Sequence, residues 1–217
     1  LIGGVIQPVY CGCPIYMMAP LSFLTRPHLW LRAISKYRAT TSGGPNFSYD
    51  LCVRMVKEEK IEGIDLSSWK VAFNGAEPVQ AETLERFAAK FEPYGFKYES
   101  FYPCFGLAEG TLIVSGGLRD KPPVIRTVDS DALGAGRAVE VMPDSPRARR
   151  IVSSGRMIFG QRIVIVDTET LRECPDGHVG EIWTASPSVA LGYWRNEEET
   201  KQNFHARLAD KPDEGPF

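Results

Sequence analysis

Residues 69–102 read WKVAFNGAEPVQAETLERFAAKFEPYGFKYESFY. Positions 69–73 form a predicted strand ending in Asn74-Gly75, and positions 80–91 place Leu84, Phe87, Ala88 and Phe91 on one helical face. Tyr94-Gly95 stops that helix, and 97–102 is the next predicted strand. Strand, helix and strand with short joints make a βαβ unit, so the two strands should run parallel. In an open α/β sheet the ligand crevice lies at the carboxyl ends of the strands. Here those ends carry Asn74-Gly75-Ala76-Glu77-Pro78 and Tyr102-Pro103-Cys104-Phe105-Gly106-Leu107-Ala108-Glu109.

Upstream, 26–37 is a predicted helix with Thr25 as its cap, Pro27 in its first turn, and Trp30, Ile34 and Tyr37 at helical spacing. A short β-like stretch at 39–41 runs into a predicted loop, Ser42-Gly43-Gly44-Pro45-Asn46, and 47–57 is a second helix. The apolar stretches 5–10 and 14–18 are expected to be buried. After Gly117 the texture changes: 119–152 is rich in Pro, Arg, Asp and Ala, with short strands expected at 124–128 and 138–142. Residues 162–166 alternate as a strand, Cys174-Pro175-Asp176-Gly177 is a turn, and 180–185 is the return strand. Asn196 can cap a last helix through Phe204. The fold class is therefore α/β, with helices layered on a parallel sheet in the first half, followed by a β-rich last third.

Composition narrows the function classes. The chain has 217 residues, 43% hydrophobic and 24% charged, with a net charge of -2, which gives no strong pull toward nucleic acid or anionic lipid. The apolar stretch 1–24 is broken by Gly3, Gly4, Pro8, Gly12, Pro14 and Pro20, so it reads neither as a membrane span nor as a signal peptide. Five cysteines without a CxxC pair, and three scattered histidines, suggest free thiols in a reducing cytoplasm and no zinc site. Ser42-Gly43-Gly44 lacks the lysine of a phosphate loop.

The two turns have parts that suit a nucleotide and Mg²⁺. Gly75 permits close backbone approach, Phe105 offers an aromatic face to a purine, and the Glu109 carboxylate is a hard oxygen ligand for a metal on phosphates. Each motif alone is weak: an aromatic-Gly turn is commonly packing and a lone Glu is commonly surface.

Taken in order, the motifs resemble the acyl-adenylate-forming superfamily, whose signature turn is aromatic-Gly-x-Thr/Ala-Glu, and within it the fatty acyl-AMP ligases. The matching words are Ala39 to Phe47, Asp65-Leu66-Ser67-Ser68-Trp69, Phe73 to Pro78, Phe105 to Glu109, Leu112 to Gly117, Gly180-Glu181-Ile182-Trp183 and Leu191-Gly192-Tyr193-Trp194. The resemblance implies that Asn74, Gly75, Ala76, Glu77, Pro78, Tyr102, Phe105, Gly106, Leu107 and Ala108 line the ATP/AMP site. It implies that Glu109 holds Mg²⁺, and that Ser42, Gly43, Pro45, Asn46 and Phe47 border an acyl tunnel. Phe105 stands where a tyrosine is commoner, and Ala108 where many relatives carry threonine; alanine there favours the acyl-AMP ligase branch.

By the same resemblance, 1–118 is a partial adenylate-binding subdomain, 119–153 an insertion that restrains a mobile C-terminal domain, and 154–217 a partial β-rich subdomain. The phosphate loop should precede residue 1, and the ribose-binding Asp and the mobile lysine should follow residue 217, so the 217 residues alone are expected to be inactive. The implied partners are a fatty acid and an acyl carrier protein, with fusion to polyketide or peptide synthase modules as one context and the cytoplasm as the place. A fatty acyl-CoA ligase and a non-catalytic carrier-docking scaffold are the alternatives.

Overall fold

The computed structural model describes residues 1–158 and 160–217. Its helices are α1 (Gln7–Cys11), α2 (Pro20–Thr25), α3 (His28–Tyr37), α4 (Asn46–Met55), α5 (Ala81–Phe91), α6 (Ser130–Gly134) and α7 (Glu197–Phe204). Its strands are β1 (Thr41–Gly44), β2 (Val71–Asn74), β3 (Phe101–Phe105), β4 (Ser115–Gly116), β5 (Ile125–Asp129), β6 (Ala148–Val152), β7 (Arg156–Met157), β8 (Arg162–Asp167), β9 (Arg172–Glu173) and β10 (Glu181–Ala185). The chain divides into two units: 1–105, 116–125 and 152–156 form the first, and 106–115, 126–151 and 157–217 the second.

The strand order of the largest sheet is β1-β2-β3-β4-β7, and β1, β2 and β3 belong to the first unit. As the βαβ reading requires, β1 pairs with β2 and β2 with β3 in parallel. The register sets Gly44 beside Asn74 and Asn74 beside Pro103, so β1 and β2 end level while β3 runs on to Phe105. Helix α5 buries Ala81, Leu84, Phe87 and Phe91, and Gly95 closes the following turn at φ +89°, a conformation glycine adopts without steric cost. The core is aromatic: the Phe87 ring meets those of Tyr49, Trp69, Phe91, Phe96 and Phe101, mostly edge to face, which favours the ring quadrupoles.

Several polar groups in this core are matched. Tyr49 donates its hydroxyl to the Phe73 carbonyl at 2.7 Å, Ser100 to the Trp69 carbonyl at 2.8 Å, and Trp69 Nε1 to the Ser42 carbonyl at 3.1 Å. Lys90 donates to the carbonyls of Val53 and Val56, both at 2.6 Å, answering groups that the end of α4 leaves without helical partners.

In the second unit β8 pairs antiparallel with β10 and with β9, and Val164 and Val166 pack with Leu208 and Phe217. Asp129 caps α6 by accepting from the backbone N–H groups of Asp131 and Ala132, and Arg147 lies 3.0 Å from its other oxygen. Asn196 caps α7 by accepting from Glu199 N–H, as the sequence suggested.

Several expectations need correction. Thr25 does not cap α3; it ends α2 and donates back to the Leu21 carbonyl at 2.8 Å, leaving Pro27 at the start of α3. Ser42, Gly43 and Gly44 are strand, not loop, because they ladder with β2. The strand expected at 97–102 is shifted to 101–105, and 98–100 is a single 3₁₀ turn tied down by Ser100. The stretches 5–10 and 14–18 are not buried: they hold a π-turn and α1, and Val9, Tyr10 and Met17 are largely exposed. Residues 138–142 make one bridge, Glu140 to Val128, and backbone bonds to β5 without becoming a strand, while α6 and β6 were not anticipated.

Among the described residues no helix is long and apolar enough to cross a membrane.

Candidate functional site

The ends of β1 and β2 place two candidate segments, Pro45 onward and Gly75 onward, at one end of the sheet; the third, Gly106 onward, follows β3 in sequence. The last of these enters the second unit immediately after Phe105.

In the first unit, Gly75 is buried, and a Cβ on it would lie 2.6 Å from the Cys104 carbonyl oxygen, so only glycine lets the two strand ends approach. Asn74 is fully buried, and neither polar atom of its amide has a hydrogen-bond partner among the described residues. Ala76 follows at φ +66°, a left-handed conformation that costs a non-glycine residue about 1–2 kcal/mol. Glu77 and Pro78 are exposed. The Glu77 carboxylate accepts from Phe47 N–H at 2.6 Å, at the start of α4, where a negative charge meets the helix dipole. Tyr102 packs against Gly116, where a Cβ would strike its ring at 2.4 Å, and burial raises its phenol pKa above the usual value. Phe105 is half-buried.

The residues assigned to the acyl side have individual roles. Ser42 accepts from Trp30 Nε1 at 2.8 Å, and Gly43 makes room for Phe73, whose carbonyl oxygen would lie 2.1 Å from a Cβ. Pro45 is the extended residue before α4. Asn46 is buried; its amide accepts from Gln80 N–H at 3.0 Å and donates to Thr83 Oγ1 at 3.2 Å, tying the start of α4 to that of α5. Phe47 leaves its ring exposed.

In the second unit, Gly106, Leu107 and Ala108 lead into a 3₁₀ turn, Ala108–Gly110, that carries Glu109. A Cβ on Gly106 would lie 1.6 Å from the Leu112 carbonyl oxygen. Thr111 and Leu112 both have positive φ, +57° and +96°. Backbone strain of this kind persists where surrounding contacts over-determine it and gathers at functional sites. Here those contacts come from 188–193: Thr111 donates its hydroxyl to the Ser188 carbonyl, Ser188 Oγ donates to the Gly110 carbonyl at 3.1 Å, and Ala190 N–H donates to the Glu109 carbonyl at 2.8 Å. Tyr193 completes the set by donating its hydroxyl to Glu109 Oε1 at 2.6 Å. That hydrogen bond holds the Glu109 pKa below the ordinary carboxylate range and raises that of the Tyr193 phenol.

Tyr193 and Trp30 are the partners that sequence reasoning missed. Tyr193 lies 84 positions from Glu109, and no spacing rule joins them.

The donor set fits Mg²⁺. Among the described residues no group of three or more His, Cys, Asp or Glu side chains is poised for a metal, and the Glu109 carboxylate, favoured in its ionised form, is a hard oxygen donor of the kind Mg²⁺ takes. Mg²⁺ is commonly held by one or two carboxylates, with phosphate oxygens and water filling the other positions.

Residues 1–194 match the family model of the AMP-binding enzymes. The chain belongs to that family. It is 48% identical over 219 residues to the medium-chain-fatty-acid–[acyl-carrier-protein] ligase JamA of Moorena producens, covering all of this chain and 37% of that protein. It is 44% identical over 213 residues to the corresponding ligase TtuA of Teredinibacter turnerae, covering 98% and 33%. Among solved structures it resembles the fatty acyl-adenylate ligase of L. pneumophila in complex with acyl adenylate and pyrophosphate, with a TM-score of 0.92 at 48% identity over 97% of this chain and 37% of that one. The chain spans about a third of the length of the curated relatives it matches. The AMP-binding family thus accounts for both the parallel α/β sheet and the order of the motifs along it.

Proposed function

We propose that the protein carrying this chain is a fatty acyl-AMP ligase. In the first half-reaction a fatty acid carboxylate oxygen attacks the α-phosphorus of ATP; the bond to the bridging oxygen breaks, giving acyl-adenylate and pyrophosphate. In the second, the phosphopantetheine thiol of an acyl carrier protein attacks the acyl carbon; a thioester forms, AMP leaves, and the thiol proton is released. The chemistry depends on positioning and on charge neutralisation at phosphate.

Within this chain, Asn74 to Pro78, Tyr102 and Phe105 to Ala108 border the nucleotide, with the Phe105 ring beside the adenine. Ser42, Gly43, Pro45, Asn46 and Phe47 border the acyl group. Glu109 would supply a carboxylate ligand to Mg²⁺, and the metal would supply positive charge that offsets phosphate charge. Residues 1–118, 119–153 and 154–217 act as adenylate-binding part, insertion and β-rich part. The cytoplasm is the proposed place, and fusion to synthase modules a proposed context.

The observation that most supports the reading is the likeness, over nearly the whole chain, to a ligase bound to acyl adenylate and pyrophosphate. The test offers equal concentrations of a carrier protein and coenzyme A to the protein with fatty acid and Mg·ATP. Acyl-carrier thioester as the main product is expected; acyl-CoA as the main product would make the protein an acyl-CoA ligase instead.

A further inference from the structure

We propose that Tyr193 is a positioning residue that sets metal selectivity at Glu109, by engaging one carboxylate oxygen and leaving the other for monodentate coordination. The proposal rests on the reading of Glu109 as the Mg²⁺ ligand. Its geometric basis lies within the second unit. The Tyr193 hydroxyl is 2.6 Å from Glu109 Oε1, a length typical of a strong charge-assisted hydrogen bond.

Tyr193 is itself held in place. Its backbone N–H donates to Thr200 Oγ1 at 2.9 Å, and that hydroxyl donates to the Asn196 carbonyl at 2.7 Å. Gly192 allows this: at φ +141°, a Cβ there would lie 2.3 Å from Thr200 Cγ2. The Tyr193 ring packs edge-on against Phe204, with centroids 5.1 Å apart and planes at 82°. On the other side, Ala190 N–H holds the backbone of Glu109 itself. The phenol and the Glu109 backbone are therefore both held by contacts outside the hydrogen bond that joins the two side chains.

The chemical consequence follows from what each cation demands. Mg²⁺ is small and octahedral, and takes one oxygen from a carboxylate while keeping water and phosphate oxygens. Ca²⁺ accepts more ligands and readily takes a carboxylate through both oxygens. A carboxylate with one oxygen already occupied suits the first cation and handicaps the second. Sequence comparison alone would treat Leu191-Gly192-Tyr193-Trp194 as a family word without giving its tyrosine a task.

The test replaces Tyr193 with Phe in the protein that carries this chain, keeping the ring on Phe204 and removing only the hydroxyl. Mg²⁺ and Ca²⁺ are titrated separately in the presence of a non-hydrolysable ATP analogue, with nucleotide-dependent thermal protection as the binding readout. Tyr193→Phe should lower the Mg²⁺-to-Ca²⁺ selectivity ratio by about tenfold, the scale of one hydrogen bond to a charged group. An unchanged ratio, or an equal loss of affinity for both cations, would overturn the proposal, because a merely structural tyrosine would give one of those results. Glu109→Ala separates the underlying reading: if it leaves both titrations unaltered, Glu109 is not the ligand and both readings fall. If it abolishes the metal response while Tyr193→Phe leaves the ratio intact, only the selectivity role is lost.

Discussion

The Glu77 carboxylate accepts a 2.6 Å hydrogen bond from the backbone N–H of Phe47, joining the turn after β2 to the first turn of α4. Asn46 runs the opposite way, accepting from Gln80 N–H. The segments assigned to nucleotide and to acyl group are thus cross-tied within the first unit. Pro45 gives α4 no side-chain cap, so Glu77 does from outside what a capping residue does from within. Glu77→Ala should cost about 1 kcal/mol of stability, the usual worth of a cap. Denaturant titration checks this, and a loss no greater than that of an exposed control glutamate would remove the capping role.

Gly106→Ala should disorganise the turn that carries Glu109. The added methyl meets a backbone carbonyl, that of Leu112, which cannot swing aside as a flexible side chain would. Overpacking of this kind costs about 1–3 kcal/mol. Thermal unfolding and nucleotide binding should both weaken; wild-type values for both would show that the turn relaxes freely.

Asp65, outside the residues assigned to nucleotide and acyl group, gives a pH-dependent signal. Hydrogen bonds from Ser67, followed by Arg38 3.1 Å away, hold its pKa at about 2, below the ordinary value. Because the folded state favours the ionised form, Asp65 contributes stability above the unfolded pKa, near 4, and loses it as pH falls toward about 2. Asp65→Asn should therefore be less stable than wild type at pH 7, with the gap closing by pH 2. A gap independent of pH would rule out this linkage.

Much of the first unit was legible because its sequence obeys simple periods. Helix α5 has Leu84, Phe87 and Phe91 on one face, and the strands around it end in glycine turns. The misreadings have physical causes. Ser42-Gly43-Gly44 has turn-like composition, yet Gly43 is needed in a strand because Phe73 crowds it. The predicted strand stopped at Tyr102, just before Pro103, a residue that cannot donate to a ladder. The strand continues through it, with the Pro103 carbonyl accepting from Gly117 N–H at 2.9 Å. The apolar 5–18 region shows that composition marks a surface able to be covered, not one that is covered. At the candidate site, Glu109 was singled out as a candidate by its local motif. Its partner Tyr193 was not, because tertiary structure alone brings together residues 84 positions apart.

The most direct test of the central claim measures acyl-adenylate formed from fatty acid and Mg·ATP by the protein that carries this chain, with mass spectrometric detection. Wild type should give acyl-adenylate and pyrophosphate in equal amounts, and Glu109→Ala should lower the rate by about 10²–10³, the scale seen when one group that stabilises developing charge is removed. Absence of acyl-adenylate with the wild type, or undiminished formation with Glu109→Ala at every Mg²⁺ concentration, would contradict the account.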